Sequence, residues 1–88
     1  MYIVYILRSV KDYKLYVGFT GNLKNRLKKH KYGEVKSTKH RRPLELVYHE
    51  KWTSSGVARR REKYLKSLYG SKEKKRIIEN YMDLKGKF

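Results

Sequence analysis

Two short runs of β-branched and aromatic residues, Tyr2-Ile-Val-Tyr-Ile-Leu7 and Leu15-Tyr-Val-Gly-Phe19, occupy the start of the chain. Runs of this length and composition fit strands. Ser9-Val-Lys-Asp12 lies between them and reads as a loop, so the two strands close into an antiparallel hairpin. Pairing Arg8 with Tyr13 across a four-residue loop sets Tyr5 directly opposite Tyr16. Cross-strand partners on one face are near neighbours, so this register places two phenols side by side. Tyrosine is also a good strand residue, and packing alone explains the pair equally well. Gly18 interrupts the second strand, which marks either a bulge or the close approach of another group.

The following residues alternate helix and strand signals. Asn22 is a suitable N-cap for an amphipathic helix to about His30, with Leu23 and Leu27 toward the core and Gly33 as a stop. Lys31 to Arg42 reads as a basic loop, and Leu44-Glu-Leu-Val-Tyr48 as a third strand with Pro43 at its start. Thr53, Ser54 or Ser55 caps a helix to about Tyr69, whose apolar stripe is Val57, Ala58, Leu65 and Leu68. Gly70 ends it, and Ser71 caps a third helix carrying Ile77, Ile78, Tyr81 and Met82. The order β-β-α-β-α-α predicts an α+β fold, a small three-stranded, mainly antiparallel sheet flanked by helices. Residues 1–82 form one domain, and 83–88 a short frayed tail.

The whole chain of 88 residues suits a single domain with a modest core. It carries 24 Lys+Arg against 8 Asp+Glu, a net charge of +16 that points to a polyanionic partner. The basic residues are spread over several elements rather than one amphipathic face, which argues against a membrane surface. Cysteine is absent, which excludes disulfides and thiolate zinc sites. His30, His40 and His49 have no metal-cage spacing, and no apolar run is long enough to span a membrane. The cytoplasm is the expected compartment.

Three residues stand out for chemistry. Arg26 and His30 are four apart on the first helix and share a side; an arginine there could clamp a phosphate, or be one more solvated cation. A histidine at such a position is more often a surface or capping residue. Glu62 is the only acid between Trp52 and Lys72, and it borders the line Ala58, Leu65, Tyr69. It could hold Mg²⁺, which takes one or two carboxylates with phosphate oxygens and waters. It could equally pair with Arg59 or Lys66.

Together these features resemble the GIY-YIG nuclease family. Ile3-Val4-Tyr5 and Tyr16-Val17-Gly18 resemble its two signature strands. Gly18-Phe-Thr20, Leu23, Arg26 and His30 resemble its helix motif, and Ala58, Glu62 and Lys66 its metal-binding helix. The likeness is greatest to small stand-alone members similar to the nuclease domain of the excision-repair complex. It departs at Ile3, where glycine is usual, and at Phe19, where some relatives carry a basic residue. The resemblance implies a metal-dependent endonuclease acting on DNA, in repair or recombination. Tyr5 and Tyr16 would flank the attacking water, Arg26 would stabilise the phosphate, His30 would assist proton transfer, and Glu62 would hold Mg²⁺ or Mn²⁺. No small-molecule cofactor is implied.

Lys36, Thr38, Lys39, Arg41 and Arg42 form one expected phosphate-contacting edge, and Arg59, Arg60, Arg61, Lys63 and Lys66 a second, with Thr20 near the site. Phosphate contacts position nucleic acid without reading sequence. Structure-selective or weakly sequence-specific cutting is therefore expected, with a protein partner able to add specificity. The competing reading is a non-catalytic basic module that binds nucleic acid on the same scaffold.

Overall fold

The computed structural model describes residues 1–86, with side chains through residue 84. The elements are β1 (Tyr2–Ser9), β2 (Leu15–Thr20), α1 (Leu23–Lys31), a 3₁₀ turn at Lys39–Arg41, β3 (Leu44–Trp52), α2 (Ser55–Lys66), a 3₁₀ turn at Leu68–Gly70 and α3 (Ser71–Gly86). This is the expected α+β order. The three strands form an antiparallel sheet in the order β2-β1-β3. With β1 central, both its faces are covered, and Val4 to Leu7 are all buried. None of the described helices is long and apolar enough to cross a membrane.

One face of the sheet presents Val4, Ile6, Val17 and Val47 to Ala58 and Leu65 of α2. Phe19, Tyr48, Trp52, Ile77, Ile78 and Tyr81 pack around this core. Arg61 fastens the layer: its guanidinium binds both Glu50 on β3 and Glu73 on α3. Arg8 and Glu45 make a second pair across β1 and β3. The other face of β1 carries Tyr5, Leu7 and Ser9 by strand alternation. It is covered by α1 and by the loop that follows, which bury His30, Val35 and Thr38.

Several expectations are corrected. In the hairpin, Tyr5 opposes Gly18 and Tyr16 opposes Leu7. The loop does have four residues, but they are Val10 to Tyr13. Ser9 Oγ accepts from the amides of Lys11 and Asp12, and Tyr13 turns the chain at φ 60°. Each strand is therefore paired one position later than expected, which leaves Tyr5 and Tyr16 as diagonal neighbours on one face. β3 continues to Trp52 because it pairs with β1 along its whole length. The N-cap of α2 is Ser54, whose side chain accepts from the Val57 amide. That helix stops at Lys66, so Leu68 and Tyr69 are exposed rather than part of its stripe. Ser71 is the first residue of α3 and donates its hydroxyl to the Leu68 carbonyl instead of capping the helix. Helix α3 continues from Asp83 to Gly86, where a frayed tail was expected; residues 87 and 88 lie outside the described residues.

The end of α1 behaves as expected. Gly33 adopts φ +74°, its amide bonds to the His30 carbonyl, and the Glu34 amide bonds to the Lys29 carbonyl. This is a Schellman cap, for which glycine has no Cβ penalty. The chain then folds back under α1 rather than trailing into solvent.

Candidate active site

The site is built on the β1–β2 hairpin and closed by α1, α2 and the 34–42 loop. Asn22 starts α1 by accepting from the Asn25 amide, so the helix begins two residues after β2 ends. Its inward stripe is Leu23, Arg26, Leu27 and His30, the spacing of a single helical face. Leucines and candidate catalytic residues thus share one side, contrary to the expectation that they divide the helix between them. His30 is only 1% exposed and is the one fully buried residue of α1, so the surface or capping role is excluded.

Tyr5 is completely buried. Its ring lies across Gly18: a Cβ at that position would fall 2.3 Å from Tyr5 Cζ. The interruption in β2 is therefore the gap that admits the Tyr5 ring. Tyr5 Oη lies 2.9 Å from His30 Nε2, and His30 Nδ1 lies 2.7 Å from Thr38 Oγ1. The Tyr5 and Tyr16 rings are 6.4 Å apart, and His30 packs edge-on against both.

Arg26 sits beside both phenols, which hold its guanidinium more firmly protonated than usual. Burial raises the Tyr5 hydroxyl pKa above that of an ordinary phenol, with Arg26 pulling the other way. Burial also pushes His30 down to about 4, helped by the Arg26 charge. At neutral pH both Tyr5 and His30 are therefore uncharged.

The His30 shift has a consequence for stability. The ring titrates near 6.5 when unfolded and at about 4 when folded. Between those values the unfolded chain binds the extra proton, so stability is full above pH 6.5 and declines as pH falls toward 4. The expected loss is about 3 kcal/mol at 1.36 kcal/mol per unit. Urea midpoints measured from pH 7 to pH 4 should fall through this window for the wild type. They should stay nearly level for His30→Gln. An equal slope in both would assign the loss to other groups.

Glu62 enters from α2. Its carboxylate accepts an ion pair from Lys66 Nζ at 3.1 Å, and the same ammonium lies 6.0 Å from the Tyr16 ring. The Glu62 charge also reaches Tyr5, whose pKa it raises. Glu62 therefore borders the phenols, and the ion pair with Lys66 considered from its spacing is formed as well. No group of three or more His, Cys, Asp or Glu side chains suited to a metal is present among the described residues. Mg²⁺ does not need one, because a single carboxylate with waters and phosphate oxygens suffices. A hard oxygen donor at the edge of a cationic site fits that ion.

The expected phosphate contacts divide. Lys36, Lys39, Arg59, Arg60, Lys63 and Lys66 are exposed. Thr38 is fully buried and cannot meet a phosphate. Arg42 donates to the carbonyls of Lys39 and Lys31, which anchors the loop to the end of α1. Arg41 pairs with Asp12 on the hairpin turn, and Ser9 Oγ donates to the Arg41 carbonyl. Arg61 is turned inward onto Glu50 and Glu73. Thr20 exchanges hydrogen bonds with the backbone of Asn22 at the entry to α1. Half of the basic loop therefore holds the site together instead of facing a ligand. Sequence spacing carried no sign of this, because charge does not reveal its partner.

Comparison with known proteins places this geometry in a family. The chain is similar to a UPF0213 protein of Natronomonas pharaonis, 39% identical over 77 residues that cover 86% of this chain and 89% of the relative. A UPF0213 protein of Staphylococcus haemolyticus is 42% identical over 77 residues, covering 86% and 92%. One from Clostridium perfringens is 46% identical over 66 residues, covering 74% and 70%. No solved structure matches the chain. The model of the GIY-YIG catalytic domain matches residues 1–76, which take in the hairpin tyrosines, Arg26, His30 and Glu62. With two phenols, a guanidinium and a carboxylate gathered on the hairpin those residues build, the chain belongs to the GIY-YIG family of nuclease domains.

Proposed function

We propose that this protein is a metal-dependent endonuclease that hydrolyses phosphodiester bonds of DNA and selects its substrate by structure more than by sequence. The observation that carries this reading is the convergence of Tyr5, Tyr16 and Arg26, with Glu62 at their border. Tyr5 has its hydroxyl engaged with His30 and is closed to solvent, whereas Tyr16 is partly exposed. Tyr16 is then the phenol that meets the attacking water and takes its proton, and Tyr5 positions. Arg26 supplies fixed positive charge where negative charge develops on the phosphate. Glu62 would hold Mg²⁺ or Mn²⁺, which supplies further positive charge against the phosphate oxygens when bound.

The Lys66–Glu62 pair does not oppose this. It is an i,i+4 pair with the lysine side chain half exposed, and such pairs contribute about 0.3–0.5 kcal/mol. A metal and a phosphate together readily outweigh that, and they release Lys66 to the DNA. The exposed cations on the 34–42 loop and α2 would line the path of the backbone. With no separate recognition domain, selectivity rests on the shape of the DNA.

The test is cleavage of flapped, branched and plain duplex DNA with Mg²⁺ or Mn²⁺. Metal-dependent cutting that favours the flapped and branched substrates is expected. Tyr16→Phe and Arg26→Ala should each lower the rate about 10²-fold with the fold unchanged. Cutting that survives both substitutions would come from a contaminant. The same pair with Lys66 is what favours the second reading, a module that binds without cutting. That reading predicts salt-sensitive DNA binding with no metal requirement and no cleavage.

A further inference from the structure

We infer that Thr38 is a positioning residue for the reaction: its hydroxyl fixes the tautomer of His30, and through it the direction in which the Tyr5 hydroxyl points. This rests on the nuclease reading above.

The argument is an accounting of protons in a dry site. Tyr5, His30 and Thr38 are 0%, 1% and 0% exposed, so their polar atoms must satisfy one another. The neutral imidazole carries one hydrogen, on either Nδ1 or Nε2. Tyr5 Oη has His30 Nε2 within 2.9 Å as its hydrogen-bond acceptor; its other close polar neighbour, Arg26, can only donate. If Nε2 carried the hydrogen, the Tyr5 proton would be buried without an acceptor. Thr38 has a choice that Tyr5 lacks, because its hydroxyl also reaches the Val35 carbonyl at 3.5 Å. The arrangement that satisfies every donor runs one way. Tyr5 Oη–H donates to Nε2, Nδ1–H donates to Thr38 Oγ1, and Thr38 Oγ1–H donates to Val35.

This direction matters for the site. With its hydrogen committed to His30, Tyr5 turns its oxygen lone pairs toward Arg26 and the phosphate path. Reversal of the ring tautomer would turn the Tyr5 hydrogen into that space. Thr38 itself is held by the packed loop: its amide bonds to the Val35 carbonyl, and the Arg42 and Ser9 contacts fasten the loop on either side. A threonine eight residues beyond His30, in a segment without periodicity, thus acts on a strand it does not touch in sequence.

Long-range ¹⁵N–¹H correlation spectra of the His30 ring in the full chain test this together with cleavage kinetics. The wild type should carry its hydrogen on Nδ1 at pH 7. Thr38→Val keeps the shape but cannot accept from Nδ1–H. It should shift the ring toward the Nε2–H form and slow metal-dependent cutting about 10- to 100-fold, with DNA affinity unchanged. Thr38→Ser restores the acceptor and should recover both the tautomer and at least a third of the rate, on the order expected when the hydroxyl alone matters. An Nε2–H ring in the wild type would overturn the inference, and so would Thr38→Val cutting within twofold of the wild type. A wild type that shows the Nδ1–H ring but cuts no DNA would instead sink the nuclease reading, and the positioning role with it.

Discussion

Replacing Glu62 with glutamine is expected to lower DNA cleavage at least about 10³-fold while leaving the fold and DNA binding in place, since a lost metal site removes several kcal/mol of charge stabilisation. The amide keeps the shape and hydrogen-bonding reach of the side chain but loses the charge that would hold the cation. Stability should change little: the lost contact is the pair with Lys66, whose contribution is below about 1 kcal/mol. Binding without metal should tighten slightly, because a negative charge leaves the phosphate path. Glu79→Gln makes the same charge change on the exposed surface of α3 and should cut normally. Measuring anisotropy and cleavage on one flapped substrate separates the two effects. Cleavage by Glu62→Gln within tenfold of the wild type would remove Glu62 as the metal ligand.

That a single carboxylate carries so much follows from how the other acids are used. Glu45 and Glu50 sit in ion pairs on β3, Glu73 holds Arg61, and Asp12 holds Arg41. These pairs tie strands, helices and the hairpin turn together. Only Glu62 pairs within its own helix and borders the phenols, so it can exchange its partner without loosening the packing between elements.

The sequence read well where local physics decides. Short β-branched runs, the Asn22 cap and the Gly33 stop set the element order and the ends of α1. It read less well where a side chain far along the chain decides. The hairpin register depends on which residue the loop folds around, and Ser9 with Tyr13 moved it by one position on each strand. The bland expectation for His30 failed because a buried histidine and a surface one look alike until Thr38 and Tyr5 are seen around it. Thr38, Arg42 and Arg61 were read as part of a phosphate-binding surface on composition alone. Each is bound to protein partners that lie up to 12 residues away.

Gly18→Ala should cost about 2–4 kcal/mol and abolish most cleavage, from a single added methyl group. The new Cβ would lie 2.3 Å from Tyr5 Cζ and 2.4 Å from its oxygen. A phenol on the surface would swing aside at little cost. Tyr5 cannot, because it is fully buried and bonded to His30. Overpacking of this kind costs about 1–3 kcal/mol, and breaking the bond to His30 adds about 1 kcal/mol. The displaced ring would also leave Arg26 without its neighbour, so activity should fall further than stability. A double-mutant cycle isolates the cause. In a Tyr5→Leu background the ring is gone, and Gly18→Ala should then cost less than about 1 kcal/mol, a coupling of the size expected for residues in contact. If the alanine costs as much without the ring as with it, glycine is needed for the backbone of β2 and not to admit Tyr5.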